Sequence, residues 1–202
     1  MGSPTASRSA GRPREFDQDE ALDRALEVFW RQGYEGTSIG ELTAAMGINR
    51  PSLYAAFGNK EALFRRALDR YVDEGMAFIR TAIEEPTGRR AVEALLRGYA
   101  AWVTNSGTPP GCLTVQGALA CGPDTETIRA ELTARRLAGE SLLRARLERA
   151  RKEGDLAGDA NPADLARYIN TIAQGVAVQA AGGARRKQLD RVVDLALRAW
   201  PA

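Results

Sequence analysis

The chain has 202 residues, of which 44% are hydrophobic and 27% are charged, and its formal net charge is +2. This length and the proportions of hydrophobic and charged residues fit one large domain or two small ones and exclude general disorder. The small net charge does not indicate a class of binding partner. The sequence has no histidine, which excludes histidine-based catalytic triads and most zinc-ligand sets. Its two cysteines, Cys112 and Cys121, make no disulfide framework. Without a long apolar run or signal peptide, we expect a cytoplasmic protein with no membrane partner.

Residues 1–14 are rich in Ser, Gly, Pro and Arg, which predicts a flexible basic arm that includes Arg12. A solvated tail is an equally good interpretation of this stretch. Three helices are predicted next, over residues 17–32, 38–46 and 50–57. Apolar residues recur there with helical spacing between capping residues and glycines.

The second and third predicted helices, joined at Gly47, form a helix–turn–helix pattern. Glycine permits the left-handed backbone that such a tight turn needs. A small core is expected from Leu42, Met46, Ile48 and Leu53. With that core inside, the spacing turns a polar tip outward, formed by Asn49, Arg50, Pro51, Ser52 and Tyr54.

This tip suits the major groove of DNA. Arg50 can donate two hydrogen bonds to guanine, Pro51 can contact a thymine methyl group, and Tyr54 can donate its hydroxyl to a phosphate. Further phosphate contacts are expected from Thr37, Ser38 and Lys60, which lie at helix starts. Two short helices joined at a glycine are common in helical proteins, so the spacing alone leaves DNA binding open.

The remainder of the chain also follows the helical period. Six further helices are predicted over residues 60–83, 89–103, 113–120, 124–153, 161–181 and 185–200. The sequence therefore predicts an all-α fold of about nine helices, with no strand alternation. The charged stretch over residues 129–153 has Arg and Glu three or four apart, which is typical of a solvated helix face.

Residues 25–63 carry a long ordered set of matches to one family. They are Ala25, Phe29, Gly33, Tyr34, Gly36, Thr37, Ser38, Ile39, Leu42, Met46, Gly47, Ile48, Leu53, Tyr54, Phe57, Lys60, Glu61, Ala62 and Leu63. By these residues the chain resembles the tetracycline-repressor (TetR) family of bacterial regulators. The resemblance implies an arm over residues 1–14, a DNA-binding domain over 15–60, and a regulatory domain over 61–202. It also implies a homodimeric repressor that a small-molecule effector releases from double-stranded operator DNA.

The last two predicted helices carry broad apolar faces. Together with the resemblance, these faces predict a four-helix interface between two chains, formed by Ile169, Ile172, Ala173, Val176, Ala177, Val193 and Leu197. The alternative is that these faces pack inside one chain.

An effector pocket is expected on the middle helices and the loop between them. The candidate lining residues are Phe78, Ile79, Tyr99, Trp102, Val103, Cys112 and Gln116, which would suit an apolar or aromatic effector. Each of these residues has plain core packing as its alternative. The Gly111-Cys112-Leu113 step resembles family members that sense electrophiles or oxidants, so Cys112 is also a candidate sensing thiol.

An interaction protein and an enzyme are the two alternatives to a DNA-binding function. A helical interaction protein would keep the scaffold without binding operators, but the intact polar tip argues against it. An enzyme would need catalytic residues, and no phosphate loop, dinucleotide fingerprint, nucleophile elbow or metal cluster is present in the sequence. We therefore expect no catalytic residues and no cofactor.

Overall fold

The computed structural model describes residues 16–201, so the predicted arm and Arg12 lie outside the described residues. Within this range the chain forms ten α-helices and no strand, which confirms the all-α class with one helix more than predicted. The helices are α1 (Gln18–Gly36), α2 (Ile39–Met46), α3 (Arg50–Phe57), α4 (Lys60–Arg70), α5 (Phe78–Ile83), α6 (Gly88–Val103), α7 (Leu113–Leu119), α8 (Glu126–Lys152), α9 (Pro162–Ala181) and α10 (Arg186–Arg198). None of the described helices is long and apolar enough to cross a membrane.

Side-chain caps fix where the first four helices begin. Asp17, Ser38, Asn49 and Asn59 each accept a hydrogen bond from a backbone N–H in the first turn of the following helix. Ser38 and Glu41 form the predicted capping box, in which each side chain accepts from the other residue's backbone N–H. Short helices are marginal alone, so these caps set the boundaries of α2 and α3.

The core of the helix–turn–helix forms as the spacing predicts. Leu42 and Leu53 are fully buried, and Met46 is 4% exposed. Half-buried Ile48 packs against them. Gly47 joins α2 to α3 in the left-handed conformation, with φ 70° and ψ 28°. The core fixes both helices and therefore decides which side of α3 points outward.

The predicted end of the first helix at Gly33 appears as a kink. Gly33 has φ 71° and ψ 177°, and one more turn follows through Gly36. The kink turns the ring of Tyr34 edge-on to Phe64, with 5.2 Å between centroids. Thr37 then donates its hydroxyl to the carbonyl of Gly33 at 2.7 Å, which holds the kinked turn.

The prediction of a single helix over residues 60–83 is wrong. The chain forms α4, a π-helical turn over Tyr71–Gly75, and then the short helix α5. Gly75 ends the π-turn, and a Cβ there would lie 3.4 Å from the indole Nε1 of Trp102. The indole packs against bare backbone at this point. A π-helical turn therefore separates α4 from α5 and from the helices that follow.

Helices α5–α10 form the C-terminal domain. Helix α6 packs against α5, α9 and α10, while α8 packs against α7 and α9. Helix α1 contacts α7, which joins this domain to the N-terminal one. Fully or almost fully buried side chains fill the interior, among them Leu96, Leu113, Ile128, Leu132 and Leu147.

Three aromatic rings meet where the two domains join. Trp30 of α1, Tyr71 of the π-turn and Trp102 of α6 have centroids 4.8, 5.4 and 4.9 Å apart in the three pairings. Tyr71 is 1% exposed and Trp30 is 8% exposed. We call these three residues the junction cluster. Since each such ring pair contributes about 0.5–1.5 kcal/mol beyond area burial, the cluster fixes the π-turn against both domains.

Substitutions at two glycines of the helix–turn–helix should change the free energy of unfolding in opposite directions. Gly47→Ala should lower the free energy of unfolding by roughly 1–2 kcal/mol, because φ 70° is strained for alanine although its Cβ would have room. Gly40→Ala should raise it by about 0.4–1 kcal/mol, because Gly40 is an exposed helical residue in the first turn of α2. Urea unfolding followed by circular dichroism measures both. Equal effects of the two substitutions would contradict the left-handed turn.

Candidate functional site

The tip of α3 presents polar side chains to solvent. Asn49, Arg50 and Pro51 are exposed, Tyr54 is 49% exposed, and Ser52 is half-buried. The side-chain oxygen of Asn49 accepts from the backbone N–H of Ser52 at 2.8 Å, so its two amide N–H donors are left for an outside acceptor. The five residues lie at the start of α3, and we call them the α3 tip. Their contact with DNA stays a prediction.

Thr37 does not lie where a phosphate contact requires. It is 1% exposed, its hydroxyl donates to the Gly33 carbonyl, and its backbone N–H donates to the Tyr34 carbonyl at 3.4 Å. The predicted contact of Thr37 with phosphate is therefore corrected, because this residue closes the kink of α1. Ser38 is exposed, although its hydroxyl and backbone N–H already form the capping box.

Lys60 lies at the start of α4, next to the end of α1. Its Nζ lies 4.3 Å from the centroid of the Tyr34 ring, which is a cation–π contact. Burial lowers the pKa of this ammonium group, and the carboxylates of Glu35 and Glu41 act in the opposite direction. The ring of Tyr34 therefore packs against the ammonium group of Lys60, and contact of Lys60 with DNA stays a prediction.

The residues predicted for a dimer interface lie almost entirely inside the protomer. Ile169, Ala173, Val176, Ala177, Val193 and Leu197 are each between 0 and 6% exposed. Ile172 is half-buried against the same core. For the six buried residues the assignment to an interface is corrected, because side chains that already pack inside one chain have little surface left for a second. For half-buried Ile172 the assignment stays a prediction.

Other apolar residues of the last two helices face solvent. Tyr168 and Val178 of α9 are 39% and 49% exposed, and Val192 and Leu195 of α10 are 39% and 61% exposed. Gly175 lies between the two α9 residues with open space where a Cβ would be. We call these five residues the outer apolar face.

A cavity of about 210 Å³ lies among the π-turn and helices α5 to α9. Of the seven residues predicted to line a pocket, Ile79 and Tyr99 line this one. Met76, Leu95 and Leu143 add apolar surface. This volume lies below the usual range for drug-sized pockets, so the cavity fits a small molecule.

The other five predicted lining residues lie outside this cavity. Phe78 packs against Trp102 with 6.2 Å between centroids, and Trp102 belongs to the junction cluster. Val103 is fully buried. Cys112 is 1% exposed. Gln116 lies against the backbone of Gly111, and its Oε1 has no hydrogen-bond partner among residues 16–201. None of these five residues lines this cavity, and four of them pack in or against the core instead, namely Phe78, Trp102, Val103 and Cys112. Gln116 is not part of that core, so its role at a ligand site stays a prediction.

The cavity also has charged and amide residues that the sequence reasoning missed. They are Arg80, Arg135, Arg136, Glu140, Asn170 and Gln174. The charge pattern of α8 predicts a solvated helix, and pairs such as Arg144–Glu148 do lie in solvent. The missed signal is the helical period, since Arg136 follows buried Leu132 by four residues and precedes buried Leu143 by seven.

Two polar contacts tie the domains together beside the junction cluster. The carboxylate of Glu35, at the end of α1, accepts from the backbone N–H of Gly122 and the hydroxyl of Thr125. The carboxylate of Asp69, in α4, pairs with the guanidinium of Arg135 on the cavity wall. Polar contacts therefore link α1 and α4 to the C-terminal domain.

An exposed helix–turn–helix tip followed by a helical domain with a cavity defines the class of helix–turn–helix transcription regulators. Residues 21–67 match the family model of bacterial regulatory proteins of the tetR family, and residues 88–196 match that of the tetracyclin repressor-like C-terminal domain. The chain belongs to the TetR family, whose members are DNA-binding transcription regulators.

Similar proteins span nearly the whole chain. It is 36% identical over 196 residues to the HTH-type transcriptional repressor ComR of Escherichia coli K12, covering 96% of this chain and 93% of that one. It is 34% identical over 164 residues to the uncharacterized HTH-type transcriptional regulator YezE of Bacillus subtilis 168, covering 79% and 84%. A solved cysteine mutant of the TetR family regulator CifR, complexed with 26bp double-strand operator DNA, is 46% identical with a TM-score of 0.90, covering 94% of this chain and 100% of that one.

The Glu35 contact should make stability depend on pH. The hydrogen bonds from Thr125 and Gly122 lower the pKa of Glu35 below its ordinary value of 4.5. A carboxyl group with a lowered pKa stabilises the fold when the pH lies above the ordinary pKa of the group. This stabilisation is lost as the pH falls through the lowered pKa. Glu35→Gln should therefore lower the unfolding temperature near neutral pH, and its melting curve should approach that of the unsubstituted chain as the medium becomes acidic.

Glu27→Gln is the matched control. Glu27 is an exposed α1 carboxylate whose ion pair with Arg31 measures 3.4 Å, and such surface pairs contribute little. A Glu35→Gln melting temperature that follows the Glu27→Gln value at every pH would contradict the contact.

Proposed function

We propose that the protein is a homodimeric repressor that binds operator DNA through the α3 tip and leaves it when a small-molecule effector enters the cavity. The observation that carries the proposal is the exposed α3 tip on a helix whose opposite side is fully buried. Membership of the TetR family and the operator complex of the similar regulator CifR support it.

In this proposal the α3 tip divides its contacts between bases and backbone. Arg50 offers a planar fork of donors for a guanine edge, and the amide of Asn49 offers donors and an acceptor to a neighbouring base. Tyr54, Ser38 and Lys60 surround them and contact phosphates, which fix the register of the helix on the duplex.

The outer apolar face joins two protomers in this proposal. Exposed Leu195, Val178 and Tyr168 would lose their contact with water when α9 and α10 pack against their counterparts. Gly175 allows a close approach of the two α9 helices. The two-fold axis then places two α3 tips about 34–36 Å apart, which matches successive major grooves.

Release follows from the position of the cavity. Val72 lies in the π-turn and Met76 directly follows it, and both line the cavity. The same turn continues α4, which follows α3 after two residues. An effector that favours a different arrangement of the π-turn therefore changes the separation of the two α3 tips, and DNA affinity falls through this coupling.

A thiol sensor at Cys112 is the second candidate. The Cys112 thiol accepts from the Tyr71 hydroxyl at 3.2 Å and lies 3.1 Å from the Thr114 hydroxyl. Reactive thiols need exposure and nearby positive charge, whereas this one is 1% exposed. The burial favours a packing role, and reversible loss of DNA binding on oxidation, abolished by Cys112→Ser, would favour the sensor.

The division of contacts can be tested on an operator found by selection from random DNA. Arg50→Ala should reduce discrimination at one base pair by roughly 1–3 kcal/mol, because a bidentate contact is lost. Lys60→Ala should weaken binding to all sequences and reduce the salt dependence by about one phosphate contact. Lys187→Ala, at an exposed position of α10, is the control. If Arg50→Ala weakened specific and random DNA equally, its assignment to a base would be wrong.

The interface can be tested by placing a charge on the outer apolar face. Leu195→Glu should convert the dimer to monomer at micromolar concentration and weaken operator binding, because a buried unpaired charge is costly. Leu137→Glu, at a 55% exposed position of α8, is the control and should leave the dimer intact. Light scattering measures both masses, and a dimeric Leu195→Glu protein would rule out this face.

A further inference from the structure

We propose that the cavity binds a small amphipathic carboxylate, whose apolar body lies against the apolar wall and whose anionic group pairs with Arg136. The same group competes with Asp69 for Arg135. This inference rests on the proposed function, since it names the chemical class of the effector and the contact through which it acts.

The charged residues of the cavity leave an excess of positive charge. Four charged side chains line it: Arg80, Arg135, Arg136 and Glu140. The one carboxylate among them, Glu140, already lies 3.4 Å from the guanidinium of Arg167 and accepts from the amide of Asn170 at 3.1 Å. A cationic ligand would therefore meet more repulsion than attraction, whereas an anion would find partners.

Arg136 is better placed for such an anion than Arg80, because Arg136 is half-buried whereas Arg80 is exposed and donates to the backbone carbonyl of Asp73 at 2.6 Å. Its Nη1 donates to the backbone carbonyl of Thr114 at 3.1 Å, and its Nη2 donates to the hydroxyl of Thr133 at 3.1 Å. Both acceptors are neutral, and none of the ion pairs found among residues 16–201 includes Arg136, in contrast to its neighbour Arg135. Two neutral acceptors orient the group and use only part of its five-donor fork, which matches a carboxylate in shape.

The rest of the cavity fixes the size and polarity of the ligand. Apolar side chains, including Met76, Ile79, Leu95 and Leu143, form much of its wall. A volume of about 210 Å³ equals roughly seven waters in the liquid, which is room for a short-chain or single-ring acid. A fully apolar ligand would remove water from Arg136 without replacing its hydrogen bonds, which disfavours such a ligand.

Arg135 connects the anion to the DNA-binding domain. It lines the cavity, pairs with Glu131 at 2.9 Å within α8, and also pairs with Asp69 of α4. Asp69 lies two residues before the π-turn. Asp69 is about half exposed, so its hold on Arg135 is one that a second carboxylate can replace. An anion in the cavity therefore loosens α4 at the point where it enters the π-turn.

Calorimetry on the full-length protein tests the ligand class without any operator. Octanoate and benzoate are compared with octanamide and benzamide, which have the same shape and no charge. At least one acid should bind about tenfold or more tightly than its amide, because a charge-assisted hydrogen bond is lost in the amide. Equal affinity for acid and amide, or no binding by either acid, would overturn the proposal.

Substitutions then locate the anion. Arg136→Met should abolish the preference for acid over amide, while Arg144→Met should keep it, because Arg144 pairs in solvent with Glu148 on the same helix. Arg136→Lys keeps the charge without the fork and should retain part of the preference. A full preference in Arg136→Met would place the anion elsewhere and refute its assignment.

The coupling is read on operator DNA. Octanoate or benzoate should weaken operator binding by the unsubstituted protein, whereas in Asp69→Asn the operator should bind more weakly without ligand and respond less to the acid. An unchanged response would refute the role of the Arg135–Asp69 contact. Operator affinity without ligand tests the proposed function alone. A protein that prefers the acid but binds no operator would support the proposed ligand class and refute the proposed function as a regulator.

Discussion

The contact of Tyr71 with Trp30 and Trp102 is the constraint on which the rest of the structure depends. Tyr71 is buried in the π-turn, and its hydroxyl also accepts from the backbone N–H of Leu113 at 3.0 Å and donates to the Cys112 thiol. One side chain thus contacts α1, α6 and the start of α7. Since α4 runs directly into this turn, the orientation of the N-terminal domain is set here.

Packed rings and surface charges contribute different properties to this junction. Aromatic rings in a close-packed core resist small displacements, because any movement opens gaps that cost dispersion energy. Partly exposed ion pairs such as Asp69–Arg135 contribute less to stability and exchange partners more readily. A ligand in the cavity therefore acts more easily by replacing a charged partner than by deforming the junction cluster.

The helix–turn–helix was predictable because each of its determinants is local. Ser38 and Glu41 cap α2 through contacts three residues apart, Asn49 caps α3, and Gly47 supplies the left-handed residue between them. No distant residue is needed to read these signals, and the outward side of α3 follows once Leu42 and Leu53 are buried.

Features that depend on distant contacts were not predictable in this way. At the end of the π-turn Gly75 packs against Trp102, which lies 27 residues further along the chain. Arg136 belongs to the cavity because α7 and α9 cover its side of α8, whereas the charge pattern alone indicates solvent. The thiol of Cys112 is likewise buried by Tyr71, a residue from another segment. Sequence spacing identifies a helix face but not what covers it.

Helix α9 shows this most clearly, because two of its sides are apolar. The spacing of its small and branched residues, such as Ala173 and Val176, predicts contact with a second chain, but these residues pack inside the protomer. Ala173 also lines the cavity, while Tyr168 and Val178 on the same helix face solvent. Under the proposed dimer, one rigid helix therefore has the effector on one side and the partner protomer on the other. A ligand in the cavity therefore contacts the same helix that packs against the partner protomer in this dimer.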